Sequence, residues 1–227
     1  MNSKSTLEVV HTEERTQLNL FEERLKNLLS HFPNFVGDYD PGCVDDDFKT
    51  VTFYPIIPSS KFNSIYPDLV RLILEKLICV RDGEFQSILD NKTIISLDKN
   101  TNYSRKVLDI NFTQIKYPIK VFAIQTDGRY KGVSPEDIMS TIPDSGCEFP
   151  IDLVTLGMMF LSDQSLLTKH EDTGIVCAAN RVILNSDINY PLVPVFRVNK
   201  IGKLVLDLIP LNKKGDMSCS AATGFRY

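Results

Sequence analysis

No apolar run in this chain approaches the roughly 18–20 residues that a bilayer-spanning helix needs, so the sequence predicts no membrane-spanning helix. The opening segment, MNSKSTLEVVHTEERT, lacks the apolar centre of a secretory signal and turns acidic within a few residues. The expectation is a cytoplasmic protein with no membrane partner. Cysteine is sparse and scattered: Cys43, Cys79, Cys147, Cys177 and Cys219 are odd in number and never form a C-x-x-C pair. That pattern argues against both a disulfide framework and a zinc ribbon, and predicts free thiols. The three histidines, His11, His31 and His170, have no H-E-x-x-H or comparable spacing, which argues against a histidine-based metal site. Phosphate-cradling glycine motifs are missing as well; Gly128-Arg129-Tyr130-Lys131-Gly132 comes nearest and lacks the spacing to wrap a pyrophosphate. With a net charge of −4 and its Lys and Arg dispersed, the chain offers no electrostatic footprint for nucleic acid. No cofactor is expected.

What is present describes a globular protein. The 227 residues, 43% apolar and 24% charged, suffice to bury a core without metal or disulfide staples. Between Thr12 and Phe32, Leu18, Phe21, Leu25, Leu28, Leu29 and Phe32 recur at three- and four-residue steps, predicting an amphipathic helix that Pro33 ends. Residues 1–33 are therefore expected to pack as a helix on an α+β domain spanning 34–227. The loop Asp38–Asp47 gathers five carboxylates, but its order does not fit a calcium loop: position five from Asp38 is Gly42 and position twelve is Lys49. A solvated acidic turn is expected and no metal.

Downstream, Lys49–Ile57 predicts a strand that Pro55 either pushes toward a sheet edge or ends. A helix follows at Tyr66-Pro67-Asp68, apolar on well over half its circumference through Leu77 and so expected to be buried on more than one side. Residues 84–89 suggest a short helix and Thr93–Leu97 a short strand. Ile119–Ile124 alternates as a strand. Ser134-Pro135-Glu136-Asp137 then supplies N-cap, N1 proline and acidic first turn, predicting a helix to about Thr141. A second helix is expected after Pro150, carrying Leu153 to Leu161, with its Met pair as core filling or as a partner groove. Three β-like runs close the pattern, 175–184, 192–199 and 203–211, the last two joined as a hairpin by Asn199–Gly202. The fold class predicted is α+β, a single domain with a largely antiparallel sheet and several covering helices.

Candidate chemistry gathers near the C-terminus. Arg181, beside Asn180 in an otherwise apolar run, either binds an anionic group or is satisfied internally, for example by Asp207. The small-residue run Ser218–Gly224 permits close approach of backbone to a neighbouring element or a ligand, unless it is a loosely ordered tail. A Cys177 or Cys219 nucleophile with His170 and Asp172 is the one catalytic trio the residue types allow. The ligand-site candidates are thus Asn180, Arg181, Ser218, Cys219 and Arg226. The helix start at Ser134 is structural, because Glu136 and Asp137 already occupy its positive end.

Gly132-Val133-Ser134-Pro135-Glu136-Asp137, Phe149-Pro150-Ile151-Asp152, Asn180-Arg181 and Pro191-Leu192-Val193-Pro194-Val195-Phe196, with Ser218–Arg226 at the end, resemble a family of short bacterial proteins known as a domain of unknown function. That resemblance implies a compact bacterial cytosolic domain and no mechanism. The functional expectation is a non-enzymatic module that binds a small molecule or a protein. The competing reading is an enzyme with an anion-binding cleft near Arg181 and Ser218–Arg226. The third is a homodimer assembled through the N-terminal helix.

Overall fold

The computed structural model describes residues 21–32, 39–40, 51–55, 62–80, 85–89, 93–97, 119–126, 129–142, 148–163, 165, 174–183, 191–213 and 219–225. Four helices lie among them: α1 (21–31), α2 (Phe62–Val80), α3 (Pro135–Thr141) and α4 (Leu153–Ser162). The strands are β1 (Tyr39–Asp40), β2 (Val51–Pro55), β3 (Phe85–Ser87), β4 (Ile94–Leu97), β5 (Ile119–Gln125), β6 (Glu148–Pro150), β7 (Gly174–Val176), β8 (Asn180–Ile183), β9 (Leu192–Val198), β10 (Leu204–Pro210), β11 (Cys219–Ala221) and β12 (Thr223–Phe225).

The centre of the molecule is α4. Its ten residues, LVTLGMMFLS, carry no charge and all are buried. A helix apolar on every side has to be surrounded. Asp152 caps it, its carboxylate accepting from Thr155 N at 2.8 Å. Around α4 lie α2, β2 and the ring of Phe196, which meets Phe160 edge-on at 5.1 Å. Residues 21–32 lie against the same core. Leu28 is fully buried, Phe21 stacks 5.7 Å from Phe53, and Arg24 bonds Asp163, the C-cap residue of α4.

Two sheets flank this core rather than one. In the first, β2 runs along one edge of β5 while β1 and β12 share the other, and β6 pairs with β12. Among the described residues β2 pairs only with β5, and Pro55 is the last residue of the strand. In the second sheet β9 is central. The antiparallel β10 fills one edge, and β7 and β8 lie end to end on the other. Ile175 faces Phe196 and Val182 faces Leu192, so the three residues Cys177–Ala179 leave the ladder as a bulge. Pro194 of β9 sits opposite this bulge, where a ladder donor is dispensable; its carbonyl accepts from Cys177 N at 2.9 Å.

The class is α+β, and the pairing is mixed: β1–β5, β10–β3 and β11–β7 are parallel, while the other seven described pairs are antiparallel. Two local expectations are corrected. Residues 85–87 form a strand, not a helix, because pairing beside β10 buries Phe85 next to Leu204 while Gln86 points out. Helix α2 begins at Phe62, which places Pro67 inside it. There Pro67 removes one intrahelical bond, the one that would reach the Asn63 carbonyl in the opening turn. The Asn199–Gly202 connection forms the expected hairpin, with Gly202 at φ 78° and its N–H bonded to Asn199 O.

The C-terminal run joins the sheets. β11 pairs in parallel with β7 in the second sheet, the buried Ala222 turns the chain, and β12 pairs with β5 and β6 in the first. One core cluster includes Phe53 and Ile124 from the first sheet with Phe196 and Leu206 from the second.

Candidate functional site

Asn180 is fully buried where the bulge re-enters the sheet. Its Oδ1 accepts from Leu153 N at 2.7 Å, satisfying an orphan donor in the first turn of α4. Its Nδ2 donates to Tyr66 Oη of α2 at 2.7 Å. One side chain therefore ties the bulge to both packed helices. Arg181 points back along its own turn, Nη1 donating to the carbonyls of Ala178 at 3.0 Å and Asn180 at 2.7 Å. Asp207 is engaged locally, accepting from Leu208 N at 2.8 Å.

The bulge and the tail meet at one residue. Ile151 N donates to Ala222 O, and Ile151 O accepts from Ala179 N, both at 3.2 Å. This brings the Asn180–Arg181 step and the small-residue run against the same backbone, while Ser218, Arg226, His170 and Asp172 lie outside the described residues. Cys219 is buried in β11, and its Sγ would lie 3.1 Å from a side chain placed on Gly174. Cys177 is fully buried; that burial, and then the Asp152 carboxylate, push its thiol well above the ordinary range. Such a thiol is the opposite of an activated nucleophile.

A second polar cluster was not foreseen. Glu148 of β6 is buried and accepts from Arg129 Nη1 at 2.8 Å and Tyr130 Oη at 3.1 Å, with the Arg129 guanidinium 5.4 Å from the Tyr130 ring centroid. Burial, reinforced by Glu148, raises the Tyr130 phenol above its usual value. The cluster pins the 129–132 turn to β6. At the other end of the core, Asp163 receives Arg24 Nε and Nη2 at 2.9 and 2.6 Å. Burial opposes ionisation there, but hydrogen bonds from Ser165 and Arg24 outweigh it and hold the carboxyl below its ordinary range.

A concave feature among the described residues lies elsewhere. Between α2 and the β3–β4 segment runs a groove of about 140 Å³, with Val70, Leu74 and Ile78 on the helix side and Leu89 and Ile95 opposite. Arg71 and Glu75 stand on its rim. As expected of a helix buried on more than one side, α2 packs against both α4 and the β3–β4 segment, yet it leaves Leu72 37% and Ile78 48% exposed, and Ile88 beside β3 is 50% exposed. Apolar periodicity marked the helix but could not say which of its apolar positions would stay uncovered.

Among the described residues no group of three or more His, Cys, Asp or Glu is placed to hold a metal ion. No described helix is long and apolar enough to cross a membrane. Of the acidic loop Asp38–Asp47, only Tyr39 and Asp40 are described, as β1, and the other four carboxylates lie outside the described residues. No family model matches the chain, and neither a curated protein nor a solved structure does, so the resemblance drawn from the sequence rests on its motifs alone.

Proposed function

We propose that this protein is a binding module whose contact surface is the groove between α2 and the β3–β4 segment. The observation that carries this reading is the groove itself: a recess in which Val70, Leu74, Ile78, Leu89 and Ile95 stand beside Arg71, Glu75, Ser87 and Thr93, with Ile78 half-exposed at its border. Its volume of about 140 Å³ is close to that of a cavity that accepts benzene. Pockets that enclose metabolites and cofactors are larger, roughly 300–1,000 Å³. A recess of this size takes one branched or aromatic side chain, so the occupant it fits is a side chain presented by a polypeptide. The Asn180–Arg181 region supports the same reading, since Asn180 and Arg181 are engaged in holding backbone.

Methyl-resolved NMR of the full chain titrated with isobutanol, a one-side-chain probe, tests this. Shifts concentrated on Val70, Leu74, Ile78, Leu89 and Ile95 are expected. A metabolite or nucleotide that raises the melting temperature while those methyls stay unmoved refutes the assignment.

A further inference from the structure

We propose that the gap between β5 and β6, a place separate from the groove, is a strand-binding site: the chain's own β11–β12 run fills it here, and it accepts the same run as a separate peptide. β12 lies between β5 and β6, antiparallel to both, and among the described residues β6 joins the sheet only through it. Paired strands lie about 4.8 Å apart, so β5 and β6 stand roughly 9–10 Å from each other, room for one extended segment between them. β11 adds a parallel rung beside β7 in the second sheet. Two further bonds hold the run from the side, Gly132 N donating to Cys219 O and Ile151 N to Ala222 O, both at 3.2 Å.

The way the run is held marks it as a ligand of the fold. From Cys219 to Gly224 it offers no side chain larger than threonine, although all six residues are buried. Its attachment is therefore carried by backbone, along both sides of β12 and along β11, which is how an added strand binds a sheet. The large side chains of the core come from elsewhere: α4 packs on α2 and β2, and β9 on β10 and β7. Only Ala222 of the run enters the cluster that spans the two sheets, and Cys219 and Ala221 lie in a smaller one. Withdrawing the run uncovers sheet edges but leaves the aromatic and aliphatic members of the larger cluster in contact.

Selectivity resides at one rung. Gly224 stands opposite Ile124 on β5 and Phe149 on β6, and a Cβ there would lie 2.5 Å from Phe149 Cζ. Phe149 is 1% exposed and walled in by the core, so its ring has nowhere to retreat. The ligand class is thus an extended peptide of small residues with glycine at the Phe149 rung.

The test uses the full chain with a specific protease site inserted after Lys213, cut in dilute urea and returned to reducing buffer. The released segment should stay with the body through gel filtration, and a labelled peptide of residues 214–227 should exchange into the cut protein while its circular dichroism holds. A peptide carrying Gly224→Ala should bind about ten-fold or more weakly, as overpacking by one methyl group predicts. Phe149→Leu in the body should narrow that gap; if this variant does not fold, the alanine peptide on the unaltered body decides the point. Dissociation of the segment with the dichroism unchanged overturns the proposal, as does a cut chain that unfolds and is not restored by peptide. Exchange that occurs only as the body unfolds overturns it too, and equal binding of the glycine and alanine peptides removes the selectivity at Gly224.

Discussion

Of the described glycines whose Cβ space is known, Gly157 leaves the least room, and replacing it with alanine gives a sharp test of how α2 and α4 pack. A Cβ built on Gly157 runs into Ile73 Cγ2, deep inside van der Waals contact, with Ile73 Cβ at 3.6 Å and Leu77 Cδ1 at 3.9 Å. Two effects oppose each other. Alanine is the better helix former, by about 1 kcal/mol over glycine. Overpacking costs about 1–3 kcal/mol, and here the upper end applies. Ile73 is fully buried and β-branched, and in a helix its χ1 has one strongly preferred rotamer, so it cannot swing aside. The helices must instead part by roughly 1–2 Å to recover an ordinary carbon–carbon separation. The net expectation is a destabilisation of about 1–2 kcal/mol. Ile73→Ala alone should cost about 2–5 kcal/mol through the cavity it leaves. The double variant should be more stable than the sum of the two by about 1–3 kcal/mol, because the new methyl occupies part of that cavity. Urea unfolding followed by circular dichroism measures all three. If Gly157→Ala alone stabilises by the propensity term, or if the cycle is additive within about 0.5 kcal/mol, the close approach of these helices is refuted.

Other perturbations test the ties around the core. Asn180→Ala strands the buried Leu153 N–H and removes the amide's bond to the Tyr66 hydroxyl, and should lower stability by about 1–3 kcal/mol in the same urea assay; no loss at all would mean that water replaces the amide. Asp163→Asn should cost about 1.5–3 kcal/mol at pH 7. Because the folded carboxyl is held below its unfolded value of about 3.9, the wild-type advantage is complete above that pH and vanishes as pH falls through the folded value; a difference unchanged from pH 7 to pH 2 would disprove the pairing. Among Cys79, Cys177 and Cys219, only the exposed Cys79 should react quickly with an aromatic disulfide reagent on the native protein, and Cys177 should follow global unfolding. Fast native-state labelling of Cys177, read by mass spectrometry, would contradict its burial.

Local chemistry made part of this fold legible. The start of α3 is written in four consecutive residues, and Ser134 Oγ accepts from Asp137 N at 3.1 Å as the cap pattern requires. The β9–β10 hairpin follows from Asn199–Gly202, and α4 from ten residues without a charge. What escaped depends on distant partners. β3 looks helical until β10 supplies its ladder, and three of the pairings are parallel, which no local turn can announce. Asn180 and Arg181 drew attention as polar residues in an apolar run. Nothing within that run shows that α4 and Tyr66 will supply the partners of the amide. The groove was invisible for a similar reason: Ile78 and Leu74 belong to one apolar stripe, and only the position of the β3–β4 segment leaves the first half exposed.

The small residues of the C-terminus suited either a ligand or a neighbouring element, and the packing decides between them. A Cβ on Gly224 would meet Phe149 Cζ at 2.5 Å and Cε2 at 2.6 Å, so the space that glycine leaves is filled by an aromatic ring. Gly174, opposite Cys219, is crowded in the same way by Val195 Cγ1 at 2.9 Å and by the cysteine sulfur. Smallness here serves close packing between strands far apart in sequence, and it lets one short run belong to both sheets. A ligand at this place would have to displace Phe149, which is 1% exposed and belongs to the core cluster that spans the two sheets. Along α2 and beside β3, Ile78 and Ile88 stay exposed at a recess large enough for one side chain, whereas Asn180 is spent on tying the bulge to α4 and α2.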